Sequence, residues 1–168
     1  MNVLVSVYWQ ICTLRLGPDV LPRSGLLVLL ALGAHWAVGT LLEAAMLPPR
    51  QAVLAAVVAT LIMVGLTHAL LLARGKAART GQTVAALGGC DALIGILAWP
   101  LMLWMAESDP TPLPAALAWL GFMVWGIAIH SHILRHALGV SPLVGVAVAL
   151  GYRVVALTVF GTFFYAET

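Results

Sequence analysis

Five apolar runs, each long enough to cross a bilayer as a helix, recur between residues 24 and 165, separated only by short breaks. The hydrocarbon core is roughly 30 Å thick and takes about 20 helical residues. Inside it, every backbone polar group must find its partner within the protein. The predicted spans are about 24–47, 51–73, 81–105, 114–134 and 142–165. Charged residues make up 8% of the chain, against about a quarter in soluble domains, so a water-facing surface cannot be built from this set. The expectation is an all-α polytopic membrane protein in which residues 24–168 form one five-helix domain.

The breaks carry their own signals. Ser24 is placed to N-cap the first span, and Pro48-Pro49 forces a reversal after it. Arg74, Lys76 and Arg79 form a basic loop, and Glu107–Pro112 is an acidic loop broken by proline. Pro100 is expected to kink the third span. Ser141-Pro142 supplies an N-cap followed by proline at the first helical position.

Residues 1–23 form an arm. Asn2, Ser6, Gln10 and Thr13 draw a narrow polar stripe along a helix over 3–16. At about 22 Å it is short for a span, so it is predicted to lie in the interface with Trp9 at headgroup level; a short tilted span is the alternative. The arm has no basic n-region and no small-residue cleavage pattern, so it does not read as a signal peptide. Cys12 would then sit near the interface and Cys90 inside the bilayer, too far apart for a disulfide. No metal-ligand spacing such as Cys-x-x-Cys is present.

Orientation follows from the bases. With five spans, Arg15, Arg23, Arg74, Lys76, Arg79 and Arg135 share one side, whereas Arg50 faces the other with Glu107, Asp109 and Glu167. The positive-inside rule puts the N-terminus in the cytoplasm and the C-terminus outside. A net charge of +2 gives no argument for nucleic acid.

Leu21-Pro22 precedes the first span, and Arg74–Gln82 feeds a Gly-rich third span with Trp99-Pro100. The string from Trp125 to Gly139 leads to Val140-Ser141 before the last span. On these features residues 20–165 resemble the YIP family, the Ypt-interacting proteins of the secretory pathway and their bacterial relatives. For a bacterial member the resemblance implies a five-span fold and little more; the expected location is a bacterial inner (cytoplasmic) membrane. Eukaryotic members are associated with Rab-type GTPases through a long soluble N-terminal region, where this chain has only the arm.

Polar groups inside the spans are the candidate site. His35, Asp91 and Arg153 fall eleven, ten and eleven residues into three spans that run the same way, which puts them near one depth at about 1.5 Å per residue. A charge there costs on the order of 3 kcal/mol on insertion scales, so lipid-facing isolation is excluded. Gly88 and Gly95 beside Asp91 make a small-residue face suited to close helix approach, and Ala149 and Ala156 flank Arg153. Two readings stand: a structural Asp91–Arg153 pair that fixes packing, or a proton or ion site. Glu43 follows His35 on one stripe and can reach the outer headgroups.

His68, His130, His132 and His136 gather toward the basic side. His68 and His130 lie at matching depth on antiparallel spans, the arrangement that could hold a b-type haem; His132 and His136 are expected at headgroup phosphates. Trp9 and Trp104 fit interfacial belts, and Trp36 and Trp125 fit packing positions. No P-loop, Gly-x-Ser-x-Gly, Gly-x-Gly-x-x-Gly or His-Glu-x-x-His pattern occurs, and no nucleophile has a base beside it. The sequence therefore predicts no catalytic residue and no metal site. Its leading function is a non-enzymatic scaffold or accessory subunit packed against lipid, a membrane-protein partner or another copy of itself. A small transporter or proton-conducting subunit using His35, Asp91 and Arg153 comes second, and a haem electron carrier third.

Overall fold

The computed structural model describes residues 3–164, and these form six α-helices and two 3₁₀ turns. Helix α1 is Val3–Cys12, α2 is Gly25–Glu43, α3 is Pro49–Ala73, α4 is Thr80–Ala106, α5 is Leu113–Leu138 and α6 is Pro142–Phe163. The last five are long and apolar enough to cross a membrane. Asn2, Tyr165, Glu167 and Thr168 lie outside the described residues.

The helix ends follow local chemistry. Ser24 caps α2, its hydroxyl accepting from Leu27 N–H at 3.4 Å. Ser141 stands at the N-cap of α6 but its side chain makes no capping bond, and Pro142 at the first position starts that helix alone. Helix α4 continues through Pro100 to Ala106. Helix α2 stops at Glu43, before the predicted 47, and α5 runs on past 134 to Leu138.

Three helices end in Schellman motifs, in which the backbone turns left-handed just past the helix. Gly75 and Gly139 hold that position after α3 and α5, each at φ 65°. After α1 the position is Leu14, at φ 62°, with Arg15 N–H bonded to Gln10 O and Leu14 N–H to Ile11 O. This stops α1 at Cys12 rather than at 16.

The turns define two ends of the bundle. The basic end carries the 74–79 loop and the α5–α6 turn; the acidic end carries Pro48-Pro49 and Glu107–Pro112. At the basic end Lys76 Nζ donates to Leu138 O at 2.7 Å and Arg79 Nη1 to Ala137 O at 3.5 Å. Both cations thereby serve the orphan carbonyls and the negative dipole end of α5.

Helix α4 is the centre, with α2 on one side and α5 on the other, α3 against α2, and α6 against α5. Glycine sets the α2–α4 approach. A Cβ on Gly88 would stand 3.0 Å from the Ala31 carbonyl oxygen, and one on Gly95 would stand 2.5 Å from Val38 Cγ1. The small face foreseen beside Asp91 is therefore the seat of α2.

Helix α1 is docked on the bundle by one face. Its Tyr8, Ile11 and Cys12 are buried against α4 and α5, while Trp9 stays exposed. Tyr8 Oη donates to Ala85 O at 3.1 Å, and its ring occupies the space that a side chain on Gly89 would fill. Burial, with Cys90 adding to it, pushes the Tyr8 phenol up to about 12, which keeps it a donor. Trp125 Nε1 donates to Cys12 O at 2.9 Å, and Trp9 meets Trp125 edge-on. The Cys90 thiol donates to Tyr8 O at 4.0 Å, and Cys12 and Cys90 are both free and buried. Gln82 Nε2 donates to Asp19 O and Leu21 O, and His132 Nε2 bonds Leu16 O at 3.0 Å. His132 is thus buried as a tie for the arm and does not face headgroups. Of the two tryptophans expected to pack, Trp125 does so and Trp36 is exposed.

Candidate functional site

The α2–α4 seat decides the geometry at Asp91. Ala31 and Val38 bracket His35 on α2 as Gly88 and Gly95 bracket Asp91 on α4, so close packing of the two faces brings imidazole to carboxylate. His35 Nδ1 lies 3.6 Å from Asp91 Oδ2. The other oxygen is taken from α5, where His130 Nε2 donates to Asp91 Oδ1 at 2.8 Å. One carboxylate therefore joins three helices through two imidazoles. The His130 side chain is 2% exposed, His35 14% and Asp91 24%, so the carboxylate is the member open to its surroundings.

Those surroundings are a cavity of about 620 Å³ lined by all five long helices. Asp91, His130, Tyr152 and Arg153 form its floor, halfway along the bundle. Its walls rise past Ile62, Ala98, Phe122 and Leu157 to Glu43, Trp119 and Phe160 near the acidic end. Toward the basic end the bundle is solid: Val84, Ala85, Leu87, Ile133, Leu134 and Ala137 are buried there, and α1 lies against the same segment. The cavity thus extends from the polar floor toward the acidic end.

Arg153 shares the floor without bridging Asp91; among the described residues both of the carboxylate's bridges go to histidine. The pairing expected from depth is corrected to His35–Asp91–His130. Arg153 Nε is buried with no hydrogen-bond partner. Its Nη2 leans toward Gly126, where a Cβ would stand 3.0 Å away. Tyr152 on α6 meets the His130 ring edge-on at 5.3 Å.

His68 and His130 are not brought together. His68 is exposed and bonds Thr80 Oγ1 through Nδ1 at 3.2 Å, whereas His130 faces Asp91, so this pair does not make the axial site a b-type haem needs. The His132 and His136 rings meet at 4.6 Å, tilted at 59°, near the arm. His130 Nδ1 is buried without a partner. The Asp91–His130 pair accordingly does not extend to a hydroxyl or thiol, as a nucleophile relay requires. What two imidazoles on one carboxylate can do is hold a proton and pass it between them.

His130 is the site residue that sequence reasoning placed elsewhere, and Tyr152 the one it left out. The signal for His130 was Gly139: read as the left-handed cap, it extends α5 by about one turn and lowers His130 toward the depth of Asp91.

The fold and the site define a small polytopic α-helical protein with a His–Asp–His cluster at the floor of a cavity among its five long helices. In comparisons with known protein families, curated proteins and solved structures, nothing matches this chain.

Proposed function

We propose that the protein is a proton-linked transport protein of a bacterial inner membrane, with Asp91 as its proton-bearing group and His35 and His130 as exchange partners. The observation that carries this is the position of the partly exposed carboxylate at the floor of the cavity. An ionisable residue inside a membrane faces a bundle interior or a water-filled cavity, and marks ion pathways and proton relays. Glu43 on the wall of the same cavity lies on the route from the acidic end.

The test is proton entry into proteoliposomes under a potassium–valinomycin potential. Wild-type protein is expected to acidify the lumen faster than Asp91→Asn, and equal rates would remove the proposal. The scaffold reading keeps one observation of its own, since the same carboxylate pins α2, α4 and α5 together. It predicts equal rates and a membrane-protein partner that co-purifies in mild detergent.

The basic end is proposed to face the cytoplasm, on the six-to-one distribution of bases outside the spans. An alkaline phosphatase fusion at Thr168 is expected to be active and one at Ala77 inactive; the opposite pattern would invert the orientation. The resemblance to Ypt-interacting proteins stands beside this as a fold-level analogy and brings no partner with it.

A further inference from the structure

The cavity holds more room than a proton path needs. About 620 Å³ falls inside the range of small-molecule sites, roughly 300–1,000 Å³. From Arg153 to Gly161 along α6 it covers eight helical steps, or about 12 Å at 1.5 Å each. Trp119, Phe122, Met123, Ala156, Leu157 and Phe160 make its wall apolar and aromatic. At the floor Asp91 already has both oxygens engaged by imidazole, whereas the Arg153 Nε has no acceptor. A guanidinium presents donors in a planar fork that matches a carboxylate. A buried donor without an acceptor is costly, and Gly126 leaves the guanidinium uncrowded on the α5 side.

From this shape and charge we propose that the cavity binds a single-chain amphiphile with an anionic carboxylate head, a medium-chain fatty acid. The head sits at Arg153 and the chain runs along the aromatic wall toward the acidic end. Asp91 and Glu43 are the carboxylates facing the cavity. The first has an imidazole nitrogen at each of its oxygens, and the second lies at the chain end, away from the head. This deepens the transport reading by naming its solute class, and it rests on that reading only for the direction of movement.

The experiment is equilibrium binding of radiolabelled decanoate to protein in phosphatidylcholine nanodiscs, with empty discs subtracted. Saturable binding is expected, weakened at least tenfold by Arg153→Gln. Decanol and decyltrimethylammonium, which share the chain and lack the anion, are expected to bind at least tenfold more weakly than decanoate. Ala156→Phe, which fills the wall and leaves Arg153 in place, is expected to abolish binding while the protein still melts cooperatively. Equal decanoate binding by wild type and Arg153→Gln would overturn the assignment, as would tighter binding of the cationic probe. Displacement of decanoate by phosphatidylglycerol in the discs would give the cavity to a bilayer lipid and overturn the free-acid occupant. Decanoate binding without proton entry upholds the site and removes the transport reading; proton entry without decanoate binding does the reverse.

Discussion

Asp91→Ala is expected to lower the detergent melting temperature by on the order of 10 °C, the largest single-site loss in the bundle. Removing the carboxylate leaves the His130 Nε2–H, on a side chain 2% exposed, without its acceptor, and leaves His35 beside Arg153 with no negative charge between them. Breaking a buried pair by deleting one partner typically costs about 3–5 kcal/mol, and each kcal/mol shifts melting by roughly 2–4 °C at this chain length. His130→Ala is expected to follow, and His35→Ala to cost least, because its contact is 3.6 Å and not 2.8 Å. The double variant Asp91→Ala/His130→Ala should lose much less than the sum of the two. An Asp91/Arg153 cycle should couple more weakly than the Asp91/His130 cycle, since no bridge joins those residues. Strong coupling to Arg153 and none to His130 would mean the cluster is wrongly assigned. Thermal melting of the single and double variants in one detergent decides it.

Gly88→Val is the second large effect, and it acts on the backbone. The Cβ at Gly88 would stand 3.0 Å from the Ala31 carbonyl oxygen and 3.3 Å from its carbon. A main-chain carbonyl cannot swing aside as a side chain can, so α2 must move off α4. Overpacking of this kind costs about 1–3 kcal/mol, and the displacement also carries His35 away from Asp91. Shortening the neighbour with Ala31→Gly should bring no rescue, because the obstacle is the carbonyl. Gly33→Ala on the same helix meets nothing within 4 Å and should raise stability slightly through helix propensity. If Gly88→Val melts with wild type while Gly33→Ala does not, the α2–α4 seat is misplaced. Proton entry through Gly88→Val should fall with its stability.

The five long helices were legible because length and hydropathy alone demand them, and Ser24 and Ser141-Pro142 mark starts that the structure repeats. The depth of His35 and Asp91 was legible for the same reason: both helices begin where their punctuation says. His130 was misplaced because depth was counted from 134, and the four further residues to Leu138 shift it by about 6 Å. Which way Arg153 points was not legible. Rotation of α6 about its axis is set by Gly145 packed under Ser131 and Arg135, a contact between helices that no periodicity reveals. The burial of α1 was hidden for a like reason, its partner being the bare backbone at Gly89. A glycine beside another glycine in an apolar run looks like tolerance, and here it is a socket for Tyr8.

The unequal halves of the bundle also bear on voltage. Under the proposed transport reading, water filling the cavity would carry the potential of the acidic end down to Asp91. The drop across the membrane is then concentrated in the solid part between Asp91 and the start of α4 at Thr80, about 16 Å of helix in place of roughly 30 Å of hydrocarbon. The local field there is about twice that of an unbroken bilayer. An elementary charge crossing it exchanges about 2.3 kcal/mol per 100 mV, nearly all of it within the segment that α1 buttresses. Small displacements of α1 or of the imidazoles at Asp91 thus occur where the field is steepest, and a hollow on one side turns a short stretch of packed helix into the protein's dielectric.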